Sequence, residues 1–576
     1  IQGGVDLILI ETSQDILELK AAILGAQAAF AETGGYLPIQ AQVTLDTTGR
    51  MLLGTDISAV LAILEGLPID VVGLNCSTGP EHMREPIRFL GERSNLPVSC
   101  IPNAGLPLNV DGQAVYPLEP QPFAEALVEF IEKDHISVVG GCCGTTPAHL
   151  RLLVEMLGGK RRSQRPVLTT PLLASAMQAQ PMLQEPRPFF IGERLNTQGS
   201  RKFKQMILEE KYDEVLELAR QQVDAGAHGL DICVALTERA DEVETMRRVV
   251  KKLAPVVRAP LVIDTTEPEV MEIALQNAPG RCLINSTHLE GGRKRADRVL
   301  TLAKKYNAAV ILLTIDEQGM AKTAERKLDV AKRLYAIAVD EFGLKPQDLV
   351  FDALTFTLAT GDGEFVESAL ETIKGIRMIK AALPGVLTSL GVSNVSFGLA
   401  PGARAVLNSA MLYHCVQAGL DMAIVNPAQI TPYTELSTDE RDLAEDLIFN
   451  RRSDALQRFI TGMKTSEKDG IEKKDNLKFR LKGMTAEERL HFRILHRLRE
   501  GIEADIDEIL ARPADINRHE AAVELLNTVL PPAMKEVGDQ FGAGELILPF
   551  VLQSAEVMKR SVAHLETYLK KKAGVS

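Results

Sequence analysis

Cysteine occurs once in Gly73-Leu74-Asn75-Cys76-Ser77 and twice in Gly140-Gly141-Cys142-Cys143-Gly144. Three thiolates are a donor set suited to zinc, and three protein ligands leave one tetrahedral position open to a substrate. A thiol taken up there is deprotonated at neutral pH and becomes a nucleophile. Isolated cysteines such as Cys233 and Cys282 read as ordinary core residues, but two adjacent thiols at a glycine-rich strand end make poor core filler.

A second set of polar residues ends successive apolar runs: Glu193, Asp231, Asp264, Asn285, Asp316, Asp352, Asn394 and Asn426. Carboxylates accept from amino and ring N–H groups, while amides both donate and accept. A ring of such groups therefore suits a planar heterocycle. Each residue taken singly reads equally well as a helix cap on a βα loop. A third run, from Glu536 through Val537-Gly538-Asp539-Gln540-Phe541-Gly542 to Val551, joins a glycine-rich turn to apolar side chains; on its own this is a helix junction.

Distant side chains of this kind need elements that bring them together. Over residues 1–157 apolar runs at 5–11, 38–45, 71–76, 97–103 and 137–142 alternate with helical stretches, the pattern of βα units around a parallel sheet. The C-terminal ends of parallel strands share one edge, so Cys76, Cys142 and Cys143 converge there. Five strands fit an open sheet or a (β/α)8 barrel whose first three units lie outside the sequence. We favour the truncated barrel, because the chain starts without Met and residues 5–10 already read as a buried strand.

Residues 158–188 lack sustained periodicity and read as a linker. Residues 189–432 carry the eight apolar runs of a second barrel, and 433–484 form a charged helical connector. Strand signals then stop. Residues 485–576 read as a bundle of about four helices, broken near Pro513, Pro531-Pro532 and Phe541-Gly542-Ala543-Gly544. The expected fold class is α/β, with two TIM-type barrels, the first N-terminally truncated, followed by an all-α four-helix bundle.

Bulk composition restricts the partners. A length of 576 residues with 45% hydrophobic content supports several cores, and a formal charge of -13 without a basic run argues against nucleic acid or anionic membrane. No stretch approaches the ~20 apolar residues of a membrane span, and the start lacks a secretory signal, so a cytoplasmic location is expected. Seven cysteines in a chain this long point to reduced thiols rather than a disulfide framework.

The Asn75-Cys76 and Gly140-Gly141-Cys142-Cys143-Gly144-Thr145 motifs resemble those of the homocysteine S-methyltransferases. That resemblance implies zinc on Cys76, Cys142 and Cys143, homocysteine thiolate as fourth ligand, Glu11 against the substrate amino group, and Asn75 lining the pocket. Over 189–430 the chain resembles the pterin-binding barrel of methyltetrahydrofolate methyltransferases, through Gly192-Glu193-Arg194-Leu195-Asn196, Ile263-Asp264-Thr265-Thr266, Ile284-Asn285-Ser286, Phe351-Asp352 and Gly391-Val392-Ser393-Asn394. This implies pterin contacts at Asp264, Asn285, Asp352 and Asn394, with Glu193, Asn196, Asp231 and Arg404 as further candidates. The Asp231-Ile232-Cys233-Val234 stretch departs from the family's acidic continuation. Demethylation at N5 needs that nitrogen protonated or hydrogen-bonded as it leaves. Asn394 is the expected support and Asp352 the expected ring holder; no proton donor can be named from the sequence.

The third run resembles the helical cap over cobalamin in cobalamin-dependent methionine synthases, which implies corrin contacts at Phe541, Leu548 and Val551. Taken together, the three resemblances imply methyl transfer from 5-methyltetrahydrofolate to cob(I)alamin, then from methylcobalamin to zinc-bound homocysteine. The cobalamin-binding Rossmann-like module and a reactivation domain are expected outside this chain. One cobalt must visit two sites, so 158–188 and 433–484 are expected to act as hinges. Two rival readings stay open: a folate to corrinoid-protein methyltransferase without homocysteine activity, and a non-catalytic pterin- or corrinoid-binding scaffold.

Overall fold

In the computed structural model the described residues are all except 161, 163–169, 362, 465–480, 482, 513–517, 544–545, 547 and 570–576. The first module is a parallel sheet of five strands, β1 (Ile8–Ser13), β2 (Ile39–Val43), β3 (Val71–Asn75), β4 (Val98–Ile101) and β5 (Val138–Val139), hydrogen-bonded in that order. Sequential order is that of neighbouring barrel staves rather than of a doubly wound sheet. Helices make the crossovers that parallel pairing requires. The first, Ile16–Thr33, starts where Asp15 accepts from Leu17 N at 2.7 Å and ends at Gly34, whose φ of 67° suits a residue without Cβ.

The expected burial of the first strand is not found. β1 lies at the sheet edge, so Leu7 and Leu9 are exposed while Ile8 and Ile10 pack on the module's core.

The second module is a closed parallel barrel of eight strands: β6 (Phe189–Asn196), β7 (Gly229–Cys233), β8 (Leu261–Asp264), β9 (Leu283–Thr287), β10 (Ala309–Leu313), β11 (Leu349–Asp352), β12 (Leu387–Gly391) and β13 (Met422–Val425). Phe189, Ile191, Val262, Leu283, Ile311, Val350, Leu387 and Met422 form one buried cluster near the strand starts.

That cluster also contains Leu173 and Met182, from the stretch read as a linker. Residues Leu172–Ala174 and Ala179–Pro181 form a hairpin that closes the floor of the barrel. The hairpin also holds the first module, since Thr55 Oγ1 donates to Ala176 O at 2.6 Å and Ala174 N to Arg281 O at 3.1 Å. Beside it the buried Lys20 Nζ donates to Ala278 O at 2.8 Å, and Asn307 Nδ2 to Ile63 O at 3.0 Å. The expected hinge at 158–188 is therefore corrected over its second half, where apolar side chains fill the floor and polar ones tie two modules.

The third module has five described helices, Ala486–Leu495, Ile502–Ala511, Arg518–Thr528, Leu530–Gly542 and Leu548–Leu569, where about four were expected. The additional break is at Gly501, which takes a φ of 83°. Leu490, Ile494, Ile506, Leu525, Ala533 and Val557 share the bundle core. Phe550 instead lies in a groove on the barrel flank with Tyr413, Val416, Ile430 and Tyr433, and the Arg497 guanidinium stands 5.1 Å from its ring centroid. No described helix is long and apolar enough to cross a membrane.

Candidate functional site

The chain carries two separate groups of chemically capable side chains. In the first module, Cys76 follows β3 at a turn where Cys76 and Ser77 both have positive φ, 61° and 65°. Cys142 and Cys143 follow β5, which is only two residues long. Their backbone is fixed from the neighbouring strand end: Cys142 N donates to Pro102 O at 2.8 Å and Cys143 N to Asn103 Oδ1 at 3.1 Å. The Sγ atoms of Cys76 and Cys143 are 3.8 Å apart, those of Cys142 and Cys143 3.9 Å, and all three lie within 4.8 Å of one another.

A tetrahedral zinc with Zn–S bonds of about 2.3 Å has S···S edges of about 3.8 Å, so the trio fits that ion. The Cys142 thiol is pushed up to about 12, first by burial and then by Cys76. A bound cation would offset the repulsion among three thiolate ligands at this spacing.

Tyr116 was not found from the sequence, because it lies in a loop with no motif. Its hydroxyl is raised by burial and by a hydrogen bond to the Cys143 sulfur. Its side chain fills the space beside Gly144, where φ is 78° and a Cβ would stand 2.3 Å from Tyr116 Cβ. Of the expected substrate contacts, Glu11 is exposed, but Asn75 is fully buried. Asn75 Nδ2 donates to Glu11 Oε2 at 3.1 Å and to Thr12 Oγ1 at 2.8 Å, so it braces β1 against β3 rather than lining an open pocket.

At the C-terminal mouth of the barrel, four expected residues form one hydrogen-bonded chain. Asn196 Nδ2 donates to Asp264 Oδ2 at 2.8 Å and to Asp231 Oδ2 at 3.2 Å, and Asn285 Nδ2 donates to Asp231 Oδ1 at 3.0 Å. Burial pushes Asp231 up to about 6. Burial and then the charge of Asp231 push Asp264 well above the usual carboxylate range. Burial and the closeness of the two carboxyls, bridged by one amide, thus hold both above the usual carboxylate range.

Glu193 stands beside this chain and accepts from Ser393 Oγ at 3.0 Å; Arg404 Nη2 donates to Ser393 O at 3.3 Å. Asp352, pushed up to about 6 by burial, accepts from Leu354 N at 2.7 Å and from Ser389 Oγ at 3.4 Å. Asn394 is exposed on the turn after β12. Gly391 makes room for it, since a Cβ there would lie 2.9 Å from Asn394 Nδ2.

Asp316 does not join these groups, and Asn426 reaches them through its backbone N–H, which bonds the Glu193 carboxylate, and not through its side chain. Asp316 belongs to a short hairpin, where it accepts from Gln318 N at 3.0 Å and pairs with Arg326; Asn426 Oδ1 accepts from Ala428 N at 3.3 Å. For both, the turn-capping alternative is the one realised.

Among the residues expected to face a corrin, Phe541 is half-buried at the end of its helix, and Val551 is half-buried against the apolar cluster that holds Phe550. Leu548 begins the last helix, but its side chain is outside the described residues.

Residues 1–157 match the family described as Homocysteine S-methyltransferase, residues 192–426 that described as Pterin binding enzyme, and residues 486–566 that described as B12 binding domain. The chain is 41% identical to a methionine synthase of Mycobacterium tuberculosis (strain ATCC 25618 / H37Rv) over 99% of its own length and 48% of the relative's. It is also 41% identical to a methionine synthase of Mycobacterium leprae (strain TN), over 99% of this chain and 47% of that protein. The chain thus spans about half the length of the curated relatives it matches. Among solved structures, a dihydropteroate synthase from Xanthomonas albilineans aligns at 18% identity and a TM-score of 0.32, covering 45% of this chain and 94% of that one.

Proposed function

On the premise that this chain is homologous to about half of a methionine synthase, with homocysteine S-methyltransferase, pterin-binding and B12-binding segments in that order, we propose that it serves methyl transfer from 5-methyltetrahydrofolate through cobalamin to homocysteine, yielding methionine and tetrahydrofolate. The observation that carries this reading is the pairing, in one chain, of a zinc-spaced thiol trio with a separate carboxylate and amide ring at a barrel mouth.

Cys76, Cys142 and Cys143 would hold zinc, whose Lewis acidity keeps a substrate thiol ionised at neutral pH. Tyr116 and Asn103 orient Cys143, and Glu11, held by Asn75, stands where a substrate ammonium can pair with it. In the barrel, Asp264, Asp352 and Asn285 recognise the N–H and amino edge of the pterin, with Asp231, Asn196 and Glu193 fixing their orientation and Arg404 holding the Ser393 turn. Asn394 supports N5 through an amide free to turn as that nitrogen gains a proton. Phe541, Leu548 and Val551 are the proposed apolar cover for a corrin, the carrier of the methyl group between the two stations.

The test is to mix the chain with cob(I)alamin and 5-methyltetrahydrofolate and follow cobalt methylation by absorbance. Transfer lost in Asn394→Ala and kept in Cys142→Ala supports the assignment of folate chemistry to the barrel. Absence of transfer by the intact chain would favour the scaffold reading.

A further inference from the structure

A buried cation that sequence reasoning did not single out lies behind Asp352. Lys327 occupies the first turn of the helix Ala324–Ala336 and is fully buried. A helix N-terminus is an unfavourable place for a positive charge, and burial makes it costlier. Burial accordingly lowers the Lys327 pKa to about 8.

The compensation is specific. Lys327 Nζ donates to Ala321 O at 2.9 Å, Ala353 O at 2.6 Å and Leu354 O at 3.2 Å. The last two are the residues that follow Asp352. Leu354 has a φ of 55°, a strained value for a branched side chain, and its carbonyl also accepts from Thr372 Oγ1 at 2.7 Å. Its amide is the donor to Asp352 Oδ1. Gly375 leaves room for the Lys327 stem, because a Cβ there would meet Lys327 Cδ at 2.8 Å. The turn that aims Asp352 into the mouth is therefore held by an ammonium, a hydroxyl and a missing methyl group.

We propose that Lys327 is a positioning residue for pterin recognition: its ammonium locks the strained turn at Leu354 and keeps the Asp352 carboxylate ionised for ligand N–H groups. This rests on the reading of Asp352 as a pterin contact. The charged and titratable groups around the pair are Asp352, Glu371 with its partner Lys374, and Cys415. Glu371 already accepts from Ala324 N at 2.8 Å and Lys374 Nζ at 2.8 Å, which leaves Asp352 as the carboxylate whose ionisation Lys327 controls.

The test uses the whole chain, with 5-methyltetrahydrofolate binding measured by calorimetry between pH 5 and 8.5 for Lys327→Met, Thr372→Val, Gly375→Ala and Asp352→Asn. Lys327→Met is expected to weaken binding at pH 7 by about tenfold and to raise the pH below which binding fails by about one unit. Thr372→Val, which loosens the turn without removing charge, should weaken binding and leave that pH in place. Gly375→Ala keeps the charge but pushes it off the carbonyls; it decides the matter if Lys327→Met does not fold, since unchanged affinity there overturns the proposal. A folded Lys327→Met with wild-type affinity and pH profile also overturns it, provided Asp352→Asn weakens binding. If Asp352→Asn itself binds normally, the reading of Asp352 fails, and this proposal with it.

Discussion

The thiol trio and the carboxylate ring solve opposite problems. Cys76 and Cys142 are half-buried and Cys143 is exposed, on turns whose backbones are bent through positive φ, and little other than Tyr116 engages their sulfurs. Asp231 and Asp352 are buried and already hydrogen-bonded through Asn196, Asn285, Ser389 and Leu354 N. A metal supplies most of its own binding energy and needs donors that are correctly spaced and reachable. A neutral heterocycle supplies far less, so its site must be desolvated and oriented before the ligand arrives. Backbone geometry is the main investment at the first site, and side-chain order at the second.

The sharpest way to break this contrast is to remove one sulfur. Cys142→Ala leaves two donors, and changes beyond the first coordination shell alone typically cost about 10 to 100-fold in metal affinity, so loss of a ligand is expected to cost more than about 100-fold. Metal analysis after dialysis against zinc should then fall from near one equivalent to near none. Retained stoichiometric zinc would mean that the trio is not the binding unit.

The next effect tests the ordered ring through pH. Asp231 and Asp352 are raised to about 6 from 3.8, so the folded apo barrel holds protons that the unfolded chain has released. For groups raised in this way the stability contribution is present at low pH and lost as pH rises from about 4 through about 6. A pterin that donates to the ionised Asp352 carboxylate binds better over that same window. Its stabilisation of the protein, read as the rise in Tm on adding 5-methyltetrahydrofolate, should therefore grow between pH 5 and 7, with affinity about tenfold or more better at pH 7. A ligand-induced Tm shift that is flat across this range would show that the ring is not recognising N–H groups through Asp352.

What the sequence discloses follows the same division. Groups whose chemistry is local to a strand end were legible: the three cysteines, and Asp231, Asp264 and Asn285, each end a short apolar run, while Asn196 came only from the family resemblance. Residues that act across the chain were not. Lys327 lies 25 residues before Asp352 on a helix whose apolar face gives no sign of a buried ammonium. Tyr116 reaches Cys143 from a loop. The floor hairpin at 172–181 is too short to show a period, and its apolar residues were outweighed by the prolines and glutamines around them. Asp316 could not be separated from the ring because a hairpin turn and a barrel mouth ask for the same residue type.

A smaller effect isolates the backbone investment at the thiol site. Gly144→Ala leaves every sulfur in place but puts a methyl group 2.3 Å from Tyr116 Cβ at a φ of 78°. Strain of that kind costs about 1 to 3 kcal/mol. Zinc affinity should drop while pterin affinity is unchanged. If Gly144→Ala binds zinc normally, the turn is more compliant than its geometry implies.

The smallest expected effect is none at all, and it bears on how separate the two sites are. The modules are joined firmly, through Lys20 on Ala278 O, Asn307 on Ala62 O and Ile63 O, and the floor hairpin on both sides. Firm joining could carry a disturbance from one site to the other. These contacts, however, fall at Ala278, Arg281 and Asn307, which precede β9 and β10 at the barrel floor, whereas Asn285 and Asp352 lie at the strand ends that form the mouth. Sites without shared partners are additive to within about 0.5 kcal/mol. Stripping zinc with a chelator should thus change the dissociation constant for 5-methyltetrahydrofolate by less than about twofold. A larger change would mean that the floor contacts transmit the state of the thiol site through the barrel wall, and that the two stations report to each other without any movement of the modules.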